Sequence, residues 1–207
     1  MKDWIKSITL TGALLFLILG PNASVSIAEG TWDKGTVVLN QLLANCESPC
    51  TECSASAKLV NVPGLGHYAL DLHRVNQGAP GALVDFRGER VAFHSISMTY
   101  TGTGISATQV PIIYCWYFHN PGFPQFVSFA PGSSNTAVSE KDGITTLSSV
   151  SDADFPSGSF LATIIVGLSP GEEDSSMNVV VREIKLNGLL VPEAKIYDLK
   201  PESCPRK

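Results

Sequence analysis

The sequence is short of charge. Only 16% of its 207 residues are Asp, Glu, Lys or Arg, against about 25% in an ordinary soluble domain. Basic residues are the scarcer kind, 14 against 19 acids, for a formal net charge of -5. A surface that neutralises phosphates needs an excess of Lys and Arg, so nucleic acid is excluded as a partner. Charge-rich heptads are also missing, which excludes a coiled coil. There is no G-x-S-x-G elbow, no phosphate loop with its lysine and no H-E-x-x-H helix, so nothing nominates a catalytic centre. The end of the chain, IYDLKPESCPRK from Ile196 to Lys207, has no apolar tail for a lipid attachment signal.

What is there is apolar and turn-rich. Residues of the AVILMFWYC set make up 44%, with 18 glycines and 13 prolines. That is enough apolar surface to bury a core and too much for a disordered chain. The amino terminus sets Lys2 and Lys6 before the run ITLTGALLFLIL, Ile8 to Leu19, which Gly20-Pro21 then breaks. Small residues at Ser26 and Ala28 complete the three-part pattern of a secretory signal peptide. The apolar run falls short of the roughly 20 residues a membrane span needs. Cleavage is expected after Ala28, giving a secreted product (extracellular or periplasmic) with no membrane contact.

Export decides how the cysteines are read. Cys46, Cys50 and Cys53 cluster, Cys115 lies mid-chain and Cys204 stands near the end. In an oxidising compartment thiols pair more readily than they hold zinc, so all five are disulfide candidates. A bond from Cys204 to the cluster would close a very long loop, stabilising by about 4–5 kcal/mol on the chain-entropy view. Two bridges leave one cysteine over, and Cys115, inside an apolar run, fits a buried free thiol. The expected organisation is a signal peptide over 1–28, an N-terminal segment with the cysteine cluster over 29–56, a β domain over 57–200 and a tail over 201–207 with Cys204.

Short alternating or apolar runs between glycine, proline and polar turns read as strands. They cover Ala57 to Val62, His67 to Val75, Gly81 to Phe86, Arg90 to Thr101, Pro111 to His119 and Gln125 to Ala130. Further on they cover Gly143 to Val150, Ser159 to Leu168, Met177 to Asn187 and Leu189 to Tyr197. Asn187-Gly188 suits a tight hairpin turn. Thr36 to Asn45 is ambiguous between strand and short helix. About ten strands without helical crossovers predict an all-β fold, an antiparallel two-sheet β-sandwich of jelly-roll-like kind in one domain. The closing pattern Glu183-Ile184-Lys185-Leu186-Asn187-Gly188 resembles the last strands of jelly-roll carbohydrate-binding modules, which implies the same fold class.

Alternation places His67, Asp71 and His73 on one strand face, a spacing that suits a polar ligand contact, a metal pair or an acid/base pair. The plainer expectation is a solvated polar face. Tyr114, Trp116 and Phe118 share another face; flat rings of this kind can stack on sugars, but a sandwich interior requires large apolar side chains, so the core is the expected place for them. Ile113, Cys115, Tyr117 and His119 would then be the second buried side of a central strand. Phe123 and Phe155, each next to a proline in a loop, are the aromatic candidates for ligand contact. Asp152 and Asp154 are candidate oxygen ligands for a structural calcium ion, the one cofactor suggested. Together these features predict a binding module rather than an enzyme, with carbohydrate the expected ligand. The alternatives are an extracellular structural or adhesion protein with protein partners, and a polysaccharide-acting enzyme using His67, Asp71 or His73.

Overall fold

The computed structural model describes residues 37–46, 52–87, 90–107, 109–119, 123–150, 158–169, 171, 175–193 and 202–204. The expected signal peptide, Cys50, Asp152, Asp154 and Phe155 lie outside them. Among the described residues fourteen strands follow in chain order: β1 Val38–Cys46, β2 Ser54–Asn61, β3 Tyr68–Val75, β4 Gly78–Asp85, β5 Val91–Ala92, β6 Ile96–Thr103 and β7 Pro111–Phe118. Then come β8 Gln125–Phe129, β9 Thr136–Lys141, β10 Ile144–Ser149, β11 Phe160–Leu168, β12 Ser176–Leu186, β13 Leu189–Leu190 and β14 Glu202–Cys204. Among the described residues there is no helix.

The strands form two antiparallel sheets. One runs β1-β4-β11-β7-β8, with β5 joined to β11; the other runs β14-β2-β3-β12-β6-β10-β9, with β13 joined to β12. This is the jelly-roll-like sandwich expected from the sequence. Its interior is filled by the inward set of each sheet. Leu42, Val84, Ile164, Ile113 and Phe129 come from the first, and Ala57, Leu70, Leu72, Val179, Met98 and Leu147 from the second. Nearly every one of these sits at a period of two along its strand, as half-buried strands require.

The sandwich reaches further than the expected 57–200. β1 is a full member of the first sheet, pairing with β4 from Val38 opposite Asp85 to Cys46 opposite Gly78. At the other end β14 adds to β2, placing Cys204 opposite Ala55. The segment expected as one strand over Arg90 to Thr101 is two, because the chain leaves the first sheet after β5 and enters the second at β6. Asn187 holds that crossing. Its left-handed backbone (φ 52°) makes the β12–β13 turn with Gly188. Its amide oxygen accepts from the N–H groups of His94 and Ser95 at 2.9 and 3.2 Å, and its NH₂ donates to the Ala92 carbonyl at 2.7 Å.

Arg74 closes one end of the sandwich from inside. Its side chain is fully buried, donating to the Asn76 carbonyl, Ser175 Oγ and Gln109 Oε1 at 2.9–3.0 Å. Burial alone depresses its pKa, and three loops are tied through one guanidinium. Gly171 lies so close to this group that a Cβ there would overlap Arg74 Nη1.

Candidate functional site

Cross-strand register divides the two outer faces sharply. The strands of the first sheet, β5 included, carry a single charged residue, Asp85. In β7 the buried residues are Ile113, Cys115 and Tyr117, while Tyr114, Trp116 and Phe118 are half-buried on the outside. That corrects the expectation that the second trio fills the core. Both faces of this strand are apolar, so alternation alone could not orient it. The inner face took the trio with the small Cys115 at its centre, beneath a layer that also holds Ile164 and Phe129.

The displaced aromatics join others on the outer surface. Trp116 stands opposite Phe126 of the edge strand β8, and Tyr114 opposite Ser128. The rings of Trp116 and Phe126 lie 5.1 Å apart, Tyr114 and Phe126 5.7 Å, and Tyr114 and Trp116 6.3 Å. Phe118 lies beside Phe160 of β11 at 5.3 Å, and the Arg90 guanidinium sits 4.8 Å over the Phe160 ring. Tyr114, Trp116 and Phe118 alternate along one strand, so the tract runs about 13–14 Å from first to last. Phe126 remains 52% exposed, so the tract faces water. Burial against these neighbours raises the Tyr114 pKa.

Polar groups border the tract. Along β8 an open depression is bounded by Phe126 and lined by Ser128, Ser133, Ser134 and Asn135. Asn135 Nδ2 donates to the Ser128 carbonyl at 3.1 Å, and Tyr117 donates its hydroxyl to Gln125 Oε1 at 2.8 Å. On the other side of the sheet Asp85 accepts from Asn40 Nδ2 at 3.1 Å and from the Arg87 N–H at 2.9 Å. Flat apolar rings beside hydroxyl and amide groups can stack on the C–H faces of a sugar ring and hydrogen-bond its edge.

The second sheet's outer face is different in kind. Asp71 and His73 of β3 lie on it, and Lys58 of β2 pairs with Asp71 at 3.3 Å. Register sets His73 between Ser56 and Asn178, and Thr99 opposite Thr146. This is a solvated polar surface. His67 sits apart from that pair in the preceding turn, its Nε2 2.9 Å from the Arg182 carbonyl. It borders a pocket of about 20 Å³, room for about one water. Among the described residues no three of His, Cys, Asp and Glu gather as metal ligands.

Phe123 is 93% exposed in the β7–β8 connection, three residues before Phe126. The aromatic tract itself went unnominated as a site. β8 is a five-residue edge strand, and Phe126 on it stays 52% exposed beside Trp116. Cys115 is a buried free thiol whose pKa burial pushes far up.

No family model and no curated protein matches the chain. Among solved structures it is similar to TmCBM61 in complex with beta-1,4-galactotriose, with 10% identity over 70% of this chain and 86% of that one, at a TM-score of 0.33. It is also similar to a family 11 carbohydrate-binding module from Clostridium thermocellum in complex with a beta-1,3-1,4-mixed-linked tetrasaccharide. There the identity is 15% over 79% and 96% of the two chains, with a TM-score of 0.38. At that likeness neither ligand nor site is carried over.

Proposed function

We propose that this chain is a secreted carbohydrate-binding module that holds its ligand on the outer face of the six-stranded sheet and does no chemistry on it. The observation that carries the reading is the contiguous tract Tyr114, Trp116, Phe126, Phe118 and Phe160, half-open to water on a sheet whose strands carry one charged residue. Leaving five aromatic rings half-wet forgoes about 1 kcal/mol of burial for each, a cost the sandwich itself gives no structural reason to bear. Sugar stacking supplies the reason, since a pyranose offers an apolar C–H face to a ring and hydroxyls to its rim. The depression with Ser128, Ser133, Ser134 and Asn135 provides hydroxyl and amide partners at that rim.

Export and disulfides belong to the same reading. The charged start, short apolar run and small-residue site over 1–28 support secretion. The register that sets Cys204 opposite Ala55, two residues from Cys53, supports bridging. The test is a glycan array followed by titration of the indole fluorescence, because Trp116 is central to the tract. The expected result is saturable binding to a subset of polysaccharides with a shift in tryptophan emission. Absence of binding to every glycan, with self-association or capture of a protein instead, would transfer the face to the adhesion reading.

A further inference from the structure

The tract ends on an arginine. Arg90 sits over Phe160 with its guanidinium carbon 4.8 Å from the ring centroid, and Phe160 in turn stacks on Phe118. Among the described residues no carboxylate pairs with it. That is unexpected in a chain with 19 acids and 14 bases, where a surface arginine has many candidate partners. Asp85, the one carboxylate on these strands, is already engaged by Asn40 Nδ2 and the Arg87 N–H. A guanidinium held by an aromatic face keeps the N–H donors at its edges free for a ligand at little further entropic cost. Its planar fork matches a carboxylate in two parallel hydrogen bonds, a geometry a hydroxyl cannot fill.

We infer that the sugar this tract selects is acidic: a uronic-acid-bearing polysaccharide, stacked on the open rings of the tract with a ring carboxylate received by Arg90 where the tract ends. The inference rests on the carbohydrate-binding reading and deepens it. Stacking by Tyr114, Trp116 and Phe126 provides affinity for a pyranose of any charge, and Arg90 discriminates between them.

The experiment compares polygalacturonate with the same polymer fully methyl-esterified, and with an uncharged soluble β-glucan, by calorimetry on the full exported chain. Esterification removes the charge while leaving the backbone and the stacking faces in place. The expected result is at least tenfold tighter binding of polygalacturonate than of its ester, shrinking with added salt. Arg90→Gln is expected to bring the two polymers level, and Arg90→Lys to restore part of the difference, since a point charge lacks the fork. Equal binding of the ester and the free acid by the unmodified chain overturns the acidic selectivity and leaves the carbohydrate reading standing. So does a preference for the β-glucan that Arg90→Gln does not alter. Binding of none of the three overturns the acidic selectivity, and the carbohydrate reading falls with it only if the glycan array is blank as well. The ester comparison needs no variant, so it stands even if Arg90→Gln folds poorly.

Discussion

Cys115 and Trp116 are neighbours in one strand with opposite surroundings. The thiol is sealed in the core while the indole is half-open against Phe126. Trp116→Ala is therefore expected to change stability by about 1 kcal/mol, yet to weaken glycan binding at least tenfold. Urea denaturation beside calorimetry separates the two effects. Ile164→Ala, one layer inward and fully buried, should behave in reverse, costing about 2–5 kcal/mol while leaving the affinity of the folded fraction intact. Cys115 itself gives a counting test. Under the disulfide reading, the unreduced protein should show one reactive thiol, and only after denaturation, because burial holds the native sulfur protonated. Two or more thiols in the unfolded, unreduced chain would contradict that reading. Thiol labelling with mass spectrometry decides it.

At the scale of elements, the β12–β13 turn is a junction between sheets. Asn187→Ala removes three hydrogen bonds and puts a Cβ-bearing residue without local hydrogen bonding into a left-handed backbone. A loss of about 3 kcal/mol is expected, seen as a fall in Tm of about 6–12 °C for a domain of this size. Asn187→Gly, which keeps the backbone comfortable, should fall between. The turn was legible as an Asn-Gly pair flanked by apolar runs, and most strands were legible from their alternation and the glycines and prolines between them. β9 was not, because Thr136–Lys141 is an edge strand exposed on both sides and so has no apolar face to alternate. The break between β5 and β6 was also hidden. Both pieces are apolar, and only pairing with different sheets separates them.

For the whole molecule the two outer faces divide the labour. One is hydroxylated and charged, with Lys58, Asp71, His73, Thr99 and Thr146; the other is aromatic. Composition and period could foresee two sheets, but not which side of β7 turns inward. That depends on the depth available between layers and on which partner strand covers the outside, both set by contacts far apart in sequence. A strand aromatic is buried more often than not, so sequence favours the loop aromatics as ligand contacts, and β7 is the exception.

The packed tyrosines give the sandwich a pH signature. Tyr100, by burial and then by Glu140, and Tyr114, by burial, both have raised pKa values. A phenol harder to ionise when folded contributes stability that is complete below the unfolded value of about 10. That contribution is lost as pH climbs through the folded value. Stability should therefore begin to fall above about pH 10, with two phenols ionising late in an ultraviolet titration of the native protein.

The most direct measurement is affinity gel electrophoresis through a bound polysaccharide, running the unmodified chain beside Trp116→Ala/Phe126→Ala and Asp71→Ala/His73→Ala. The account predicts that the first pair abolishes retardation while the second, on the opposite sheet, migrates like the unmodified protein. Retardation that survives loss of both aromatics, or that vanishes with Asp71 and His73, would contradict it.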